Sequence, residues 1–185
     1  MNTQSSPARC YGIGKLLGGS LLMLGLALGS AGMLGCVGYT VGSSLPAGLR
    51  SVYMPTFINE CGEPLLENEA TSAARAEIQR DGTLQLASDE GVADTTLEVT
   101  LTGIKTEPIR YDSNDPKTTE EYRLTITAKL EFKQKGVDKP LLSKTVVGEK
   151  KFDPTGDLSS AKRAAQPKAC EDLAHKIVEG LVEYW

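Results

Sequence analysis

The residue best placed for chemistry is a cysteine. Met33-Leu34-Gly35-Cys36 ends an apolar N-terminal stretch with a small residue directly before a thiol. That arrangement is read as a bacterial lipoprotein signal, with Cys36 becoming the first mature residue and carrying acyl chains. Arg9 and Lys15 give residues 1–15 a positive start without any acidic residue, and Leu21 to Leu28 form a short apolar core. Gly29, Ser30, Ala31 and Gly32 then supply the small-residue zone of a cleavable signal. The competing reading is an uncleaved transmembrane helix, which needs about 20 apolar residues. Residues 16–34 nearly qualify, but eight glycines lie between Gly12 and Gly35. Lipidation of Cys36 predicts stable anchoring, since two acyl chains hold a protein at a membrane where one does not. Val37 stands where an Asp would mark inner-membrane retention, so the expected address is the periplasmic side of the outer membrane.

Other reactive side chains are sparse. His175 is the only histidine, and it lies beside an apolar helical stripe. No His, Cys and carboxylate cluster has metal-ligand spacing, and no glycine-rich loop links a strand to a helix as a phosphate cradle. The run Asp112-Ser113-Asn114-Asp115 hints at calcium, but Pro116 and Lys117 occupy positions that need an oxygen ligand and a turn glycine. No nucleophile sits in a recognisable motif. The sequence therefore points away from an enzyme and implies no cofactor and no metal. Cys61 and Cys170 are the thiols left after Cys36 in the mature chain. An exported compartment permits a disulfide between them, and a buried free Cys170 is the equally ordinary alternative.

The elements that would carry any site follow from periodicity. Three regions are expected: a signal over residues 1–35, a Gly/Ser-rich tether over 36–48, and one domain over 49–185. The 150 residues after the signal suffice for one core. Leu49 to Phe57 reads as a first strand, pushed toward an edge or an early end by Pro55. A helix is expected over 64–80, with Pro64 at its first position and Gly82 as its left-handed stop. Thr83 to Ala87 is a short strand. Leu97, Val99 and Leu101 alternate with polar residues until Gly103 shifts the phase to Ile104, which predicts a bulge. Tyr122 to Lys133 alternates without a break for twelve residues. Leu142 to Gly148 is a further strand, and residues 159–184 read as a second helix with Pro167 as its start or a kink. The predicted fold is α+β, with one mixed, mostly antiparallel sheet of four to five strands and two helices on one face.

Such a layer leaves one sheet face to Arg123, Thr125, Thr127, Lys129, Glu131 and Lys133, a wide, polar and partly basic surface. Charge is uneven along the chain: residues 60–98 carry net −8 and residues 122–151 net +5. The mature chain has 18 Lys and Arg against 24 Asp and Glu, net −6, which speaks against nucleic acid as a partner. Residues Glu107 to Glu121 read as a fifteen-residue hairpin loop, far longer than the usual two to five. It carries Arg110, Tyr111 and Lys117.

The order of motifs resembles a known family. It runs from the lipidated cysteine through Gly38-Tyr39, Met54-Pro55-Thr56-Phe57, Gln79-Arg80-Asp81-Gly82 and Glu121-Tyr122-Arg123-Leu124 to a C-terminal helix after Asp153-Pro154. This is similar to the lipopolysaccharide-assembly lipoproteins, LptE. The resemblance implies two helices on a mixed sheet. It also implies a role as the plug and assembly factor of an outer-membrane β-barrel, LptD, with lipopolysaccharide as ligand. It places lipopolysaccharide contacts by position at Arg110 or Lys117 in the loop and at Lys162 or Arg163 near the start of the last helix. The barrel-facing candidates are then Arg123, Thr125, Thr127, Lys129 and Lys133. The alternative is a lipoprotein adaptor for another envelope machine, such as cell-wall synthesis.

Overall fold

The twelve-residue alternation is realised as an interior strand of the sheet. In a computed structural model, residues 47–113, 115, 119–154 and 156–184 are described. Cys36, Lys117, the signal region and residues 36–46 of the tether lie outside them. Strands β1 (Ser51–Tyr53), β2 (Ile58–Asn59), β3 (Gln85–Leu86), β4 (Thr95–Tyr111), β5 (Thr119–Gln134) and β6 (Leu142–Phe152) join helices α1 (Leu66–Asp81) and α2 (Leu158–Val182). The sheet order is β3-β1-β4-β5-β6, with β2 paired beside β4. Strands β4, β5 and β6 form an antiparallel meander, while β1 and β2 run parallel to β4. The expected α+β layer is present with six strands. The sixth is β2, which lies past the expected Leu49–Phe57 strand. That strand is shorter than expected, ending as β1 at Tyr53 ahead of Pro55, which lacks the N–H a ladder requires.

One sheet face is dry. Leu124, Ile126, Ala128, Leu130 and Phe132 of β5 and Leu97, Val99 and Leu101 of β4 are almost wholly buried. Full burial of a Leu or Ile contributes about 1.5–3 kcal/mol, so this row dominates stability. Over it lie Leu66, Ala70, Ala74 and Ile78 of α1 and Ala169, Cys170, Leu173, Ile177 and Leu181 of α2. Helix α2 packs on β5 and β6, and α1 packs beside α2. Close approach is possible because Gly148 of β6 has no side chain. A Cβ there would lie 2.5 Å from Leu173 Cβ and 2.6 Å from the Ala169 oxygen.

Both helix starts are set locally. Pro64 is not the first helical residue: Leu65 takes a left-handed turn at φ 65° and α1 begins at Leu66. Glu67 and Glu69 in its first turn favour the helix dipole. Gly82 ends it at φ 74°, its N–H donating to the Ile78 oxygen. Asp157 caps α2 by accepting from the Ser160 N–H at 3.0 Å, and Pro167 sits inside the helix rather than opening it. Three side-chain bridges tie the α1 side to α2: Lys162 to Glu63 at 2.7 Å, Gln166 to Glu69 at 2.8 Å and His175 to Glu77 at 3.0 Å.

The outer border of β6 is also held by α2. Lys176 Nζ donates to the Val147 oxygen at 2.8 Å, and Asp172 accepts from the Glu149 N–H at 2.7 Å. The same Lys and Asp pair with each other at 3.0 Å.

The expected fifteen-residue loop is a misreading. Strand β4 continues to Tyr111 and β5 resumes at Thr119, so residues 112–118 form the connection. The meander therefore continues past Leu124, its last fully buried residue toward the turn, as a ribbon of exposed and half-buried residues.

Candidate functional site

The candidate site is the sheet face turned away from the helices. Directly opposite residues in a ladder share a face, so pairing defines this surface row by row. Nearest the hairpin turn, Glu107, Arg123 and Lys151 lie abreast, followed by Lys105, Thr125 and Glu149. Gly103, Thr127 and Val147 come next, then Thr100, Lys129 and Thr145. Glu98, Glu131 and Ser143 follow, and Thr96 with Lys133 closes the surface. The structure thus brings Arg123, Thr125, Thr127, Lys129 and Lys133 onto one face.

Their charges are largely spent on neighbours. Lys129 lies 2.7 Å from Glu131, and Lys133 lies 2.6 Å from Glu98 and 3.2 Å from Glu131. The Lys129 and Lys133 ammonium groups hold the Glu131 carboxyl below its ordinary value, and Glu98 followed by Glu131 raises Lys133. Arg123 Nε lies 3.3 Å from Glu149, shielded from water but without a well-aligned hydrogen bond. The strip that reads as partly basic in sequence is a chain of cross-strand and same-strand ion pairs.

Between the paired charges runs an uncharged middle. The expected bulge is present, with the register slipping between Leu101 and Gly103. Thr102 is the extra residue, its hydroxyl donating to the Thr127 oxygen at 3.3 Å. Sequence reasoning saw the bulge but not its place in this surface. Val147, half-buried on the water-facing side, was also missed because β6 alternates weakly.

The remaining candidates sit elsewhere. Arg110 on the outer ribbon pairs with Glu120 at 2.9 Å. Lys162 is committed to Glu63. Arg163, exposed one residue later, borders a cleft of about 790 Å³ with Leu65 and Gln166. Among the described residues, no hydrogen bond or ion pair joins Arg110 to either.

Groups with reactive potential are quiet. Cys61 and Cys170 are free thiols. The Cys61 thiol donates to Asn59 Oδ1 at 3.1 Å. Burial pushes Cys170 up to about 12, with Glu69 and Glu171 adding to the shift. His175 lowers Glu77 by hydrogen bonding to it, and Arg80 adds a second donor. Among the described residues, no group of three His, Cys, Asp or Glu could hold a metal ion. Among them, too, no helix is long and apolar enough to cross a membrane.

Comparison with known proteins places this geometry. Solved structures of similar fold include protein CT253 from Chlamydia trachomatis, with a TM-score of 0.51 at 10% identity, covering 72% of this chain and 96% of that one. Protein XCC0632 from Xanthomonas campestris gives a TM-score of 0.51 at 14% identity, covering 77% and 91%. A minor lipoprotein from Acinetobacter baumannii gives 0.48 at 13%, covering 73% and 94%. At these identities the likeness to the first two is one of fold. No curated protein matches the chain in sequence. The family model LptE, described as lipopolysaccharide-assembly, matches residues 49–181, so the chain belongs to the LptE family.

Proposed function

We propose that this chain is an outer-membrane lipoprotein, anchored through Cys36, that plugs an LptD-like β-barrel and assists its assembly. In that position it helps deliver lipopolysaccharide to the outer leaflet. One observation carries the reading beyond family membership: the sheet is dry beneath two helices and mostly polar on its other face, where Val147 and exposed Ile58 are the large apolar side chains. Barrel lumens are polar, and a plug must present such a surface without opening its core. Arg110, Lys117, Lys162 and Arg163 are the proposed contacts for the phosphate-bearing ligand. The test is affinity capture of the native chain from gently solubilised membranes. A large outer-membrane barrel protein should co-purify; recovery as a free monomer refutes the reading. In the same preparation, Cys36→Ala should move the chain from the membrane to the soluble fraction.

A further inference from the structure

The two long strands that border the ribbon are finished differently. Along an antiparallel ladder, opposite residues alternate between pairs that exchange backbone hydrogen bonds and pairs whose N–H and C=O point away. On β6 the Glu149 N–H and the Val147 oxygen point away from β5, since Asp172 and Lys176 of α2 engage them. Thr125 and Thr127, which stand opposite, therefore bond to Lys105 and Gly103 of β4. It follows that Ile104, Thr106 and Pro108 aim their backbone groups outward, on the side of β4 where β1 and β2 lie. Pro108 fits this geometry, because the N–H it lacks would have pointed outward too. Pairing on that side stops early. Strand β2 ends at Asn59, and the Glu60 N–H makes the last bond, to the Leu101 oxygen at 2.9 Å. Strand β4 runs on to Tyr111, and among the described residues nothing pairs with that stretch on its outer side. The Ile104 and Thr106 N–H groups and the Ile104, Thr106 and Pro108 oxygens stand open. Charge agrees with the backbone. Arg123, Lys129 and Lys133 are paired within the chain, whereas Lys105 and Glu107 on the open stretch are exposed and without an ion pair. Lys151, also unpaired, stands across the sheet on β6.

We infer that the open side of β4, from Gly103 to Pro108, receives one extended segment of the barrel partner, which adds there as a strand. The segment sets a carboxylate against Lys105 and a cation against Glu107, and lays its alternate side chains beside half-buried Ile104 and Thr106. The inference rests on the barrel reading above and names how contact is made. In strand addition, backbone bonds supply affinity and the alternate side chains supply selection. Lys105 and Pro108 discourage indiscriminate pairing, which suits a site kept for one segment. Wall strands of a closed barrel are already bonded on both sides, so the segment is a loop or a terminus of the partner. A second copy fits less well. Setting Lys105 of one copy against Glu107 of the other forces an antiparallel register centred on Thr106. That register carries Tyr111 of each copy toward Leu101 of the other, where Glu60 is already bonded.

The test uses the full lipidated chain and measures how much barrel protein it recovers from gently solubilised membranes. Thr106→Pro deletes an outward N–H and no bond to β5, as the natural Pro108 does. Recovery should fall at least about tenfold, as expected for a contact near an interface centre. Thr145→Pro makes the same deletion on β6, where the alternation also turns the N–H away from β5, and should change recovery less than about twofold. The double exchange Lys105→Glu with Glu107→Lys sets like charges against the segment and should lower recovery at least about fivefold. Carbodiimide, which joins touching amines and carboxylates, should link Lys105 and Glu107 to one segment of the recovered barrel protein. Thermal midpoints and circular dichroism check folding, and if Thr106→Pro does not fold, the charge exchange decides. Recovery by folded Thr106→Pro or by the charge exchange equal to the wild type overturns the inference and leaves the barrel reading intact. So does Thr145→Pro as damaging as Thr106→Pro, or carbodiimide links that avoid both residues. Wild-type dimers in sedimentation that Thr106→Pro dissolves would make a second copy the occupant and also overturn it. Wild type recovering no barrel removes the broader reading, and this inference with it.

Discussion

The two sides of this sheet obey different rules, and Gly148 and Gly103 show it at single positions. On the covered side, the missing side chain admits a helix of the same chain to contact distance. On the uncovered side, the missing side chain faces nothing in the molecule. Covered positions answer to internal packing and change stability when altered. Uncovered positions are free of that constraint, so their composition reports on demands from outside. Ion pairs fit the same division. Among the described residues none is placed in the dry layer, while the water-facing rows hold pairs on both sides of the Gly103, Thr127 and Val147 row.

The sharpest test of this contrast uses neighbouring residues. Ile126→Ala should cost about 2–5 kcal/mol in urea unfolding, whereas Thr127→Ala should cost less than about 1 kcal/mol. Equal losses would mean that the two faces are not energetically distinct. Next in size, Gly148→Ala should destabilise by about 1–3 kcal/mol, since the helix must retreat. Gly103→Ala should be neutral or gain up to about 1 kcal/mol through a less flexible unfolded chain. Thermal melts of the two variants, compared side by side, would reveal any exchange of those roles. The smallest effect concerns acid. Glu131 is held below its ordinary value of 4.5 by Lys129 and Lys133. Its contribution is therefore present above pH 4.5 and fades as pH falls through the depressed value. The pairs lie in contact with water, which screens them, so the effect is small. Glu131→Gln should flatten this part of the acid limb in stability measured against pH, and an unchanged slope would show the pairs to be energetically silent.

Much of this architecture is legible in sequence because burial on one face writes a period of two. Strand β5 is the plainest case, with Leu124 to Phe132 buried and its alternate residues outward. The Gly103 bulge was visible as a phase shift. The outer half of the β4–β5 ribbon was not, because neither side of residues 107–111 meets a core. Without one, Glu107, Pro108, Ile109 and Arg110 carry no alternation to read, and an edge tolerates the proline. The start of α1 was misplaced by one turn element, since nothing in Leu65 announces a left-handed backbone. The uncovered face was recognised by residue type, but the ion pairs of Arg123, Lys129 and Lys133 were not. Pairing Lys133 with Glu98, thirty-five residues away, depends on register between strands that sequence alone leaves open.

The border of β6 has a further consequence. Exposed sheet margins invite foreign chains to extend the ladder, a common route to aggregation. Here Asp172 and Lys176 already engage the Glu149 donor and the Val147 acceptor. An incoming segment finds two central rungs taken, so lateral zippering between copies is discouraged.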